Sequence, residues 1–281
     1  MNYVTLNNGV KMPQLGYGVY QVDPQEAERC VLDAIHIGYR MIDTAQIYQN
    51  EEGVGQAIAK CGVPRSELFV VTKIWISNAG EEKAYASILE SLEKLQSNYI
   101  DLLLIHQPFG DYYGTYRAME RAYREGKVRA IGVSNFYPDR FVDLQAHVEV
   151  KPAVNQVELH VFNQQITAQK YMEKYGCQIM SWGPFAEGRN DFFNNETLLS
   201  IGKKYGKTVA QVALRCLLQR GVVLIPKSTH RERMEQNMNI FDFELVEEDM
   251  RTIEKLDTKQ SLFFSHYDPE MVEFLISLVH A

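Results

Sequence analysis

No basic stretch, no paired cysteines and no long apolar run occur in this chain, and each absence removes a class of function. Lysine and arginine total 29 against 36 aspartates and glutamates, a formal net charge of −7, and the two signs are interspersed. A surface without a basic face has nothing to neutralise a phosphate backbone, so nucleic acid is not expected as a partner. The four cysteines, Cys30, Cys61, Cys177 and Cys216, lie far apart. None forms a CxxC pair and no Cys/His cluster has zinc spacing, which points to free thiols in a reducing compartment and to no metal site. No apolar run approaches the ~20 residues of a membrane span. The opening residues, MNYVTLNNGVKMP, have neither the basic nor the apolar region of a secretory signal, so a cytoplasmic protein away from membranes is expected. The Asn195-Glu196-Thr197 sequon is read as chance on the same ground. The dinucleotide fingerprint is missing too: Gly53 and Gly55 lack the third glycine and no GxGxxG opens a helix. There is no Pro/Ser-rich linker and no repeat, so residues 1–281 read as a single domain.

What is present is an alternation. Short apolar runs at 15–17, 41–43, 68–74, 100–106, 128–133, 153–157, 178–182 and 222–225 read as strands. Several are continuous rather than alternating, as expected for strands buried on both faces. Amphipathic stretches at helical spacing fall between them, at 24–38, 82–95, 113–124, 138–146, 166–175, 209–219 and 231–239. Eight strand–helix units in one chain predict a closed (β/α)8 barrel rather than a doubly wound sheet. A hairpin precedes it, residues 3–6 and 10–12 about the turn Asn7-Asn8-Gly9, placed to plug the barrel floor. Extra helices are expected at 247–256 and 269–279. The tail after Asp257 is short, so the site is expected to be open on one side.

In such a barrel, chemistry belongs at the carboxyl ends of the strands. Asp43 ends the second strand with Tyr48 in the loop beyond, Lys73 ends the third and His106 the fourth. Singly, each has an ordinary explanation: a helix cap, a lysine emerging to solvent, a satisfied core histidine. Three consecutive apolar strands that end in ionisable groups, with a tyrosine close by, point instead to a site, because such groups are costly to desolvate unless paired or used. A tyrosine has a pKa near 10, and an adjacent ammonium lowers it. Tyr48 is therefore expected to give a proton to a substrate oxygen, with Lys73 assisting, Asp43 holding Lys73 charged and His106 orienting the oxygen. The set supplies no hydride, so a nicotinamide cofactor is implied. Val223-Leu224-Ile225-Pro226-Lys227-Ser228 leaves the eighth strand just before a helix that carries Arg233, a combination suited to phosphate.

At these residues the sequence closely resembles the aldo-keto reductase superfamily, nearly end to end. The resemblance rests on Gly38-Tyr39-Arg40-Met41-Ile42-Asp43-Thr44-Ala45 with Tyr48 and Asn50-Glu51, on Tyr99-Ile100-Asp101-Leu102-Leu103-Leu104-Ile105-His106, on Ile131-Gly132-Val133-Ser134-Asn135-Phe136, on Ile225-Pro226-Lys227-Ser228, and on Asn237 with Phe241-Asp242-Phe243-Glu244-Leu245. It implies a barrel that uses NADPH without a Rossmann domain and a catalytic tetrad of Asp43, Tyr48, Lys73 and His106. Carboxamide contacts fall at Ser134, Asn135 and Gln156, and the ring stacked on the nicotinamide at Trp182. Gly183, Pro184, Phe185 and Glu187 lie on the segment that crosses the pyrophosphate. Lys227, Ser228, Arg233, Gln236 and Asn237 take the phosphate and adenine contacts, and Gly18, Val19, Tyr20, Ile225 and Pro226 complete the cofactor set. Substrate contacts are expected from Tyr20, Tyr48, Trp75, His106 and Gln107, with Phe109 on the rim. Trp182-Gly183, where many members carry tyrosine and serine, resembles the smaller microbial branch with 2,5-diketo-gluconate reductases and prostaglandin F synthase-like enzymes. Gln236 replaces a glutamate common near the adenine. His106 favours carbonyl over double-bond reduction. The implied substrate is a small carbonyl compound, dicarbonyls included, and a monomer is expected. Two alternatives remain at this level: a glycosidase using Asp43 and Glu158, and a non-catalytic protein on a reductase fold.

Overall fold

The computed structural model describes residues 2–278. Eight short parallel strands form one sheet in chain order: β3 (Tyr17–Gly18), β4 (Met41–Asp43), β5 (Phe69–Ile74), β6 (Leu102–Ile105), β7 (Ile131–Ser134), β8 (Val154–Glu158), β9 (Gln178–Trp182) and β10 (Val223–Leu224). The sheet closes on itself. Leu15 bridges Leu224 in parallel, Gly16 N donates to Leu224 O at 2.7 Å, and Gly18 N donates to Pro226 O at 3.2 Å. A side chain at Gly18 would put a Cβ 2.9 Å from Ile225 O, so the seam needs glycine there.

The two-residue period of a strand divides its side chains between two cores. Leu102 and Leu104 of β6 join Met41, Phe69, Val71, Val154, Met180 and Val223 inside the barrel. Leu103 and Ile105 of the same strand face the helical layer with Ile42, Val70, Val133 and Leu224. The hairpin, β1 (Tyr3–Thr5) paired antiparallel with β2 (Lys11–Pro13), adds Leu6 and Met12 to the interior cluster, as a floor plug does.

The helical layer comprises α1 (Pro24–Ile37), α2 (Glu51–Lys60), α3 (Glu81–Lys94), α4 (Tyr112–Arg124), α5 (Pro138–His147), α6 (Ile166–Lys174), α7 (Glu196–Tyr205), α8 (Val209–Gln219), α9 (Arg231–Met238), α10 (Glu247–Glu254) and α11 (Pro269–Ser277). Two of these, α2 and α7, escape the periodicity reading. Residue 279, expected at the end of the last helix, lies outside the described residues. Asn195 of the sequon accepts a hydrogen bond from Leu198 N and caps α7. Gly53 and Gly55 serve packing rather than phosphate. A Cβ on Gly53 would meet the Ala27 Cβ at 2.8 Å, and one on Gly55 would meet Lys94 O at 2.2 Å. All four cysteines are free and buried. Among the described residues no helix is long and apolar enough to cross a membrane.

Candidate active site

The carboxyl ends of the strands surround a cavity of about 720 Å³. Asp43 closes β4, Lys73 is next to last in β5 and His106 follows β6 directly. Lys73 Nζ donates to Asp43 Oδ1 at 2.5 Å and to the Thr44 carbonyl at 2.9 Å. Gln156 Nε2 donates to the other Asp43 oxygen at 2.8 Å. Both carboxylate oxygens are thereby engaged, which an ion pair needs when water cannot reach it. Tyr48 ends a 3-10 turn, Gln46–Tyr48, and its ring centroid lies 5.0 Å from Lys73 Nζ. His106 packs edge-on against Tyr48 at 5.5 Å and Trp75 at 5.1 Å.

Polar side chains fix this turn. Gln46 Oε1 accepts from Trp75 N and Asn78 Nδ2, and its amide donates to Ser87 O and Ser91 Oγ. Asn50 donates to Val19 O and Val22 O and accepts from the Thr44 hydroxyl. The buried Glu51 accepts from the Thr72 hydroxyl at 2.6 Å. Asn50 and Glu51 thus brace the loop that presents Tyr48.

The electrostatics differ from expectation at one point. Burial raises the Tyr48 phenol well above its ordinary pKa, and the Asp43 carboxylate and the Tyr20 phenol push the same way. The Lys73 ammonium, paired with Asp43, does not outweigh these effects. Burial pulls Lys73 down and Asp43 up, with their mutual contact opposing both shifts. Burial, followed by the charge on Lys73, drives His106 well below its usual range, so its imidazole is neutral near pH 7.

A second arm of the cavity runs past the ends of β7 to β10. Ser134 Oγ donates to Gln156 O, Asn135 Nδ2 donates to His106 O and Ser134 Oγ, and Trp182 Nε1 donates to Asn135 Oδ1 at 2.8 Å. Asn135 adopts φ +64°, a left-handed conformation that asparagine tolerates and that turns its side chain into this network. Gly183, Pro184, Phe185 and Glu187 line the arm, and Ile225 and Lys227 lie beyond them. Past Lys227 the chain enters α9. Ser228 is buried, its carbonyl accepting from the Tyr17 hydroxyl at 2.6 Å. Arg233 and Gln236 are exposed on α9 and Asn237 is buried. Among the described residues neither Lys227 nor Arg233 enters an ion pair.

Gly18, Tyr20, Trp75 and Gln107 line the cavity as expected, whereas Val19, Phe109 and Pro226, like Ser228, Arg233, Gln236 and Asn237, are not among its lining residues. Val19 points into the outer core. Pro226 spends its carbonyl on the barrel seam. Phe109 lies behind the wall, packed with Trp75, Ile76 and Leu275 and stacked on His266.

The tail after Asp257, though short, reaches the cavity. Phe263, Phe264, Met271, Phe274, Leu275 and Leu278 line the cavity. Glu158 pins this segment, accepting from Ser261 Oγ, Leu262 N and His160 Nε2. His266 pairs with Gln107 Oε1 at 2.7 Å. Glu158 is therefore a tail anchor, engaged with the tail rather than free to pair with Asp43 as a glycosidase would need. No local pattern announces these tail contacts, because their partners lie more than 100 residues away in sequence.

The description "Aldo/keto reductase family" matches residues 9–258. Glyoxal reductase of Bacillus subtilis is 48% identical over 256 residues, 90% of this chain and 92% of that protein. The 9,11-endoperoxide prostaglandin H2 reductase of Trypanosoma cruzi is 47% identical over 259 residues, 91% of this chain and 92% of its own length. An aldo-keto reductase of Bombyx mori, solved in complex with NADP, superposes with a TM-score of 0.88 at 34% identity, over 92% of this chain and 94% of that one.

Proposed function

Since the chain belongs to the aldo/keto reductase family, we propose that it reduces aldehydes and ketones, dicarbonyls among them, to alcohols, with NADPH as reductant and Tyr48 as proton donor. The observation that carries this is the meeting of Tyr48, His106 and the Lys73–Asp43 pair in one cavity whose other arm ends at Lys227, which forms no ion pair among the described residues.

The residues of that arm fit a nicotinamide dinucleotide. Gln156 Oε1 has no protein partner and faces the cavity, an acceptor suited to a carboxamide N–H. The Trp182 indole, held by Asn135, offers a face for ring stacking. Gly183 takes φ +62°, which lets backbone run close beneath a ligand. Lys227 and Arg233, near the start of α9, suit phosphate. When bound there, NADPH supplies the hydride.

The chain's own part is the proton. His106 Nδ1 is buried without a partner. Its Nε2, the nitrogen left toward the cavity, is then the one to donate to a carbonyl oxygen, and a neutral imidazole does so without giving up its proton. As that oxygen becomes an alkoxide, its basicity exceeds that of the Tyr48 phenolate, and the proton passes from tyrosine to oxygen. A phenol whose pKa is raised keeps its proton at neutral pH until that moment. Lys73 then steadies the phenolate left behind, and Asp43 and Gln156 keep Lys73 in place.

The test is consumption of NADPH by the purified protein, followed optically with a panel of aldehydes, α-dicarbonyls and ketones. Turnover of glyoxal and simple aldehydes is expected, with NADPH preferred to NADH. No consumption with any carbonyl compound would overturn the reading.

A further inference from the structure

Resting on the carbonyl-reductase reading above, we infer that the substrate arm is built for neutral aldehydes with a long apolar chain rather than for small polar or anionic carbonyl compounds. Among the described residues eleven large hydrophobic side chains are exposed, and four of them line the cavity: Tyr20, Ile47 and Phe274, with Phe193, which packs on Phe185, on the dinucleotide arm. Phe274 is 56% exposed while forming part of that wall. Scattered apolar residues need no explanation, but a convergence at the mouth of a cavity marks a surface that a ligand covers.

Charge points the same way. The charged side chains that line the cavity are Asp43, Glu187 and Lys227. Asp43 is consumed by Lys73, and Glu187 and Lys227 lie on the arm assigned to the dinucleotide. The arm beyond Tyr48 therefore has no cation for a substrate carboxylate, and an unpaired carboxylate there would lose its hydration without compensation. Keto-acid sugars, the substrates of one branch that the sequence resembles, are accordingly disfavoured.

The apolar wall comes from α11, which lies outside the stretch matched to the family. Met271 and Leu275 pack toward Trp75 and Ile76, and Phe274, one helical neighbour away, stays open. Glu158 and His266 hold the segment that leads into this helix. Ile47, beside Tyr48 in its turn, and Phe274 both line the cavity, so a chain extending from a carbonyl carbon at Tyr48 would meet apolar side chains.

The test is kcat/KM across unbranched aldehydes from propanal to decanal, with glyoxal and a 2-keto-aldonate as polar comparators. A rise of up to about fourfold per added methylene is expected until the arm is filled, with the keto-aldonate poorest. Phe274→Asp should lower the decanal-to-glyoxal ratio at least tenfold. Its exposure makes misfolding an improbable confounder, and the wild-type series needs no variant. Reduction of glyoxal with a flat or falling chain-length series overturns this inference and leaves carbonyl reduction standing. Absence of turnover with every carbonyl compound overturns both.

Discussion

Tyr48 shows how one side chain's role depends on three others. Its phenol is raised by burial first and by Asp43 second, so it is a poor acid toward water, and in the proposed mechanism it donates only to something as basic as a nascent alkoxide. Tyr48→Phe keeps the ring and its packing against His106 but removes the proton. Turnover should fall by about 10²- to 10⁴-fold, the range for loss of a general acid, while NADPH still binds with near-wild-type affinity by fluorescence titration. Retained turnover would remove Tyr48 from the mechanism. Lys73→Met should also cost turnover, and more stability with it, because Asp43 would be left buried and unpaired, a loss of about 3–5 kcal/mol for a broken buried pair. Urea denaturation of that variant measures it. Asp43, Lys73 and His106 were legible in the sequence because each ends an apolar strand, and Tyr48 because it follows Asp43 in the loop beyond. The direction of the tyrosine shift was not, since it depends first on how deeply the phenol is buried, which spacing along the chain does not encode.

Elements divide into those that local pattern reveals and those fixed by distant contacts. The continuous apolar runs gave all eight strands, to within a few residues at their ends. Helix α2 hid because Gly53 and Gly55 lower its propensity, and the reason for those glycines is a neighbour. The Gly55 site meets the Lys94 carbonyl. Gly55→Ala, which would favour an isolated helix, is therefore expected to destabilise the protein by roughly 1–3 kcal/mol through overpacking; a thermal midpoint at or above the wild-type value would contradict this. The tail helix was legible, but the contacts it makes with the cavity wall were not, for the same reason, and one of its anchors, His266, titrates. Burial, with the nearby Arg140 charge, depresses His266 to about 4, against ~6.5 when unfolded. The unfolded chain binds this proton more readily, so the contribution to stability is whole above pH ~6.5 and is lost as pH falls toward 4, roughly 3 kcal/mol at most. His266→Gln does not titrate, and its stability should fall less steeply than the wild type across that window in urea unfolding. Parallel curves would show that His266 does not set the slope.

At the scale of the whole molecule the barrel separates stability from chemistry. The hairpin plugs the floor, the interior cluster of Met41, Phe69, Leu102 and Met180 fills the middle, and the ionisable groups collect at the opposite end. A ligand that spans the open end touches residues from both halves of the chain, Asp43 and Tyr48 early and Lys227 late, so its binding should stabilise the fold as one unit. At a concentration a hundredfold above its dissociation constant, a ligand of the folded state alone adds about 2.7 kcal/mol. For a chain of 281 residues that corresponds to a rise of roughly 5 °C in thermal midpoint. NADPH should produce such a shift, and NADH at the same concentration a smaller one, because only NADPH carries the extra phosphate that Lys227 and Arg233 are proposed to receive. In the Lys227→Ala, Arg233→Ala protein the two cofactors should give equal shifts. Neither residue forms an ion pair among the described residues, so the ligand-free midpoint should stay within about 2 °C of wild type, as for surface substitutions generally. Because the readout is a melting temperature, it tests the cofactor arm independently of Tyr48 and of the substrate. A retained gap between NADPH and NADH in the double variant would mean that the phosphate is held elsewhere.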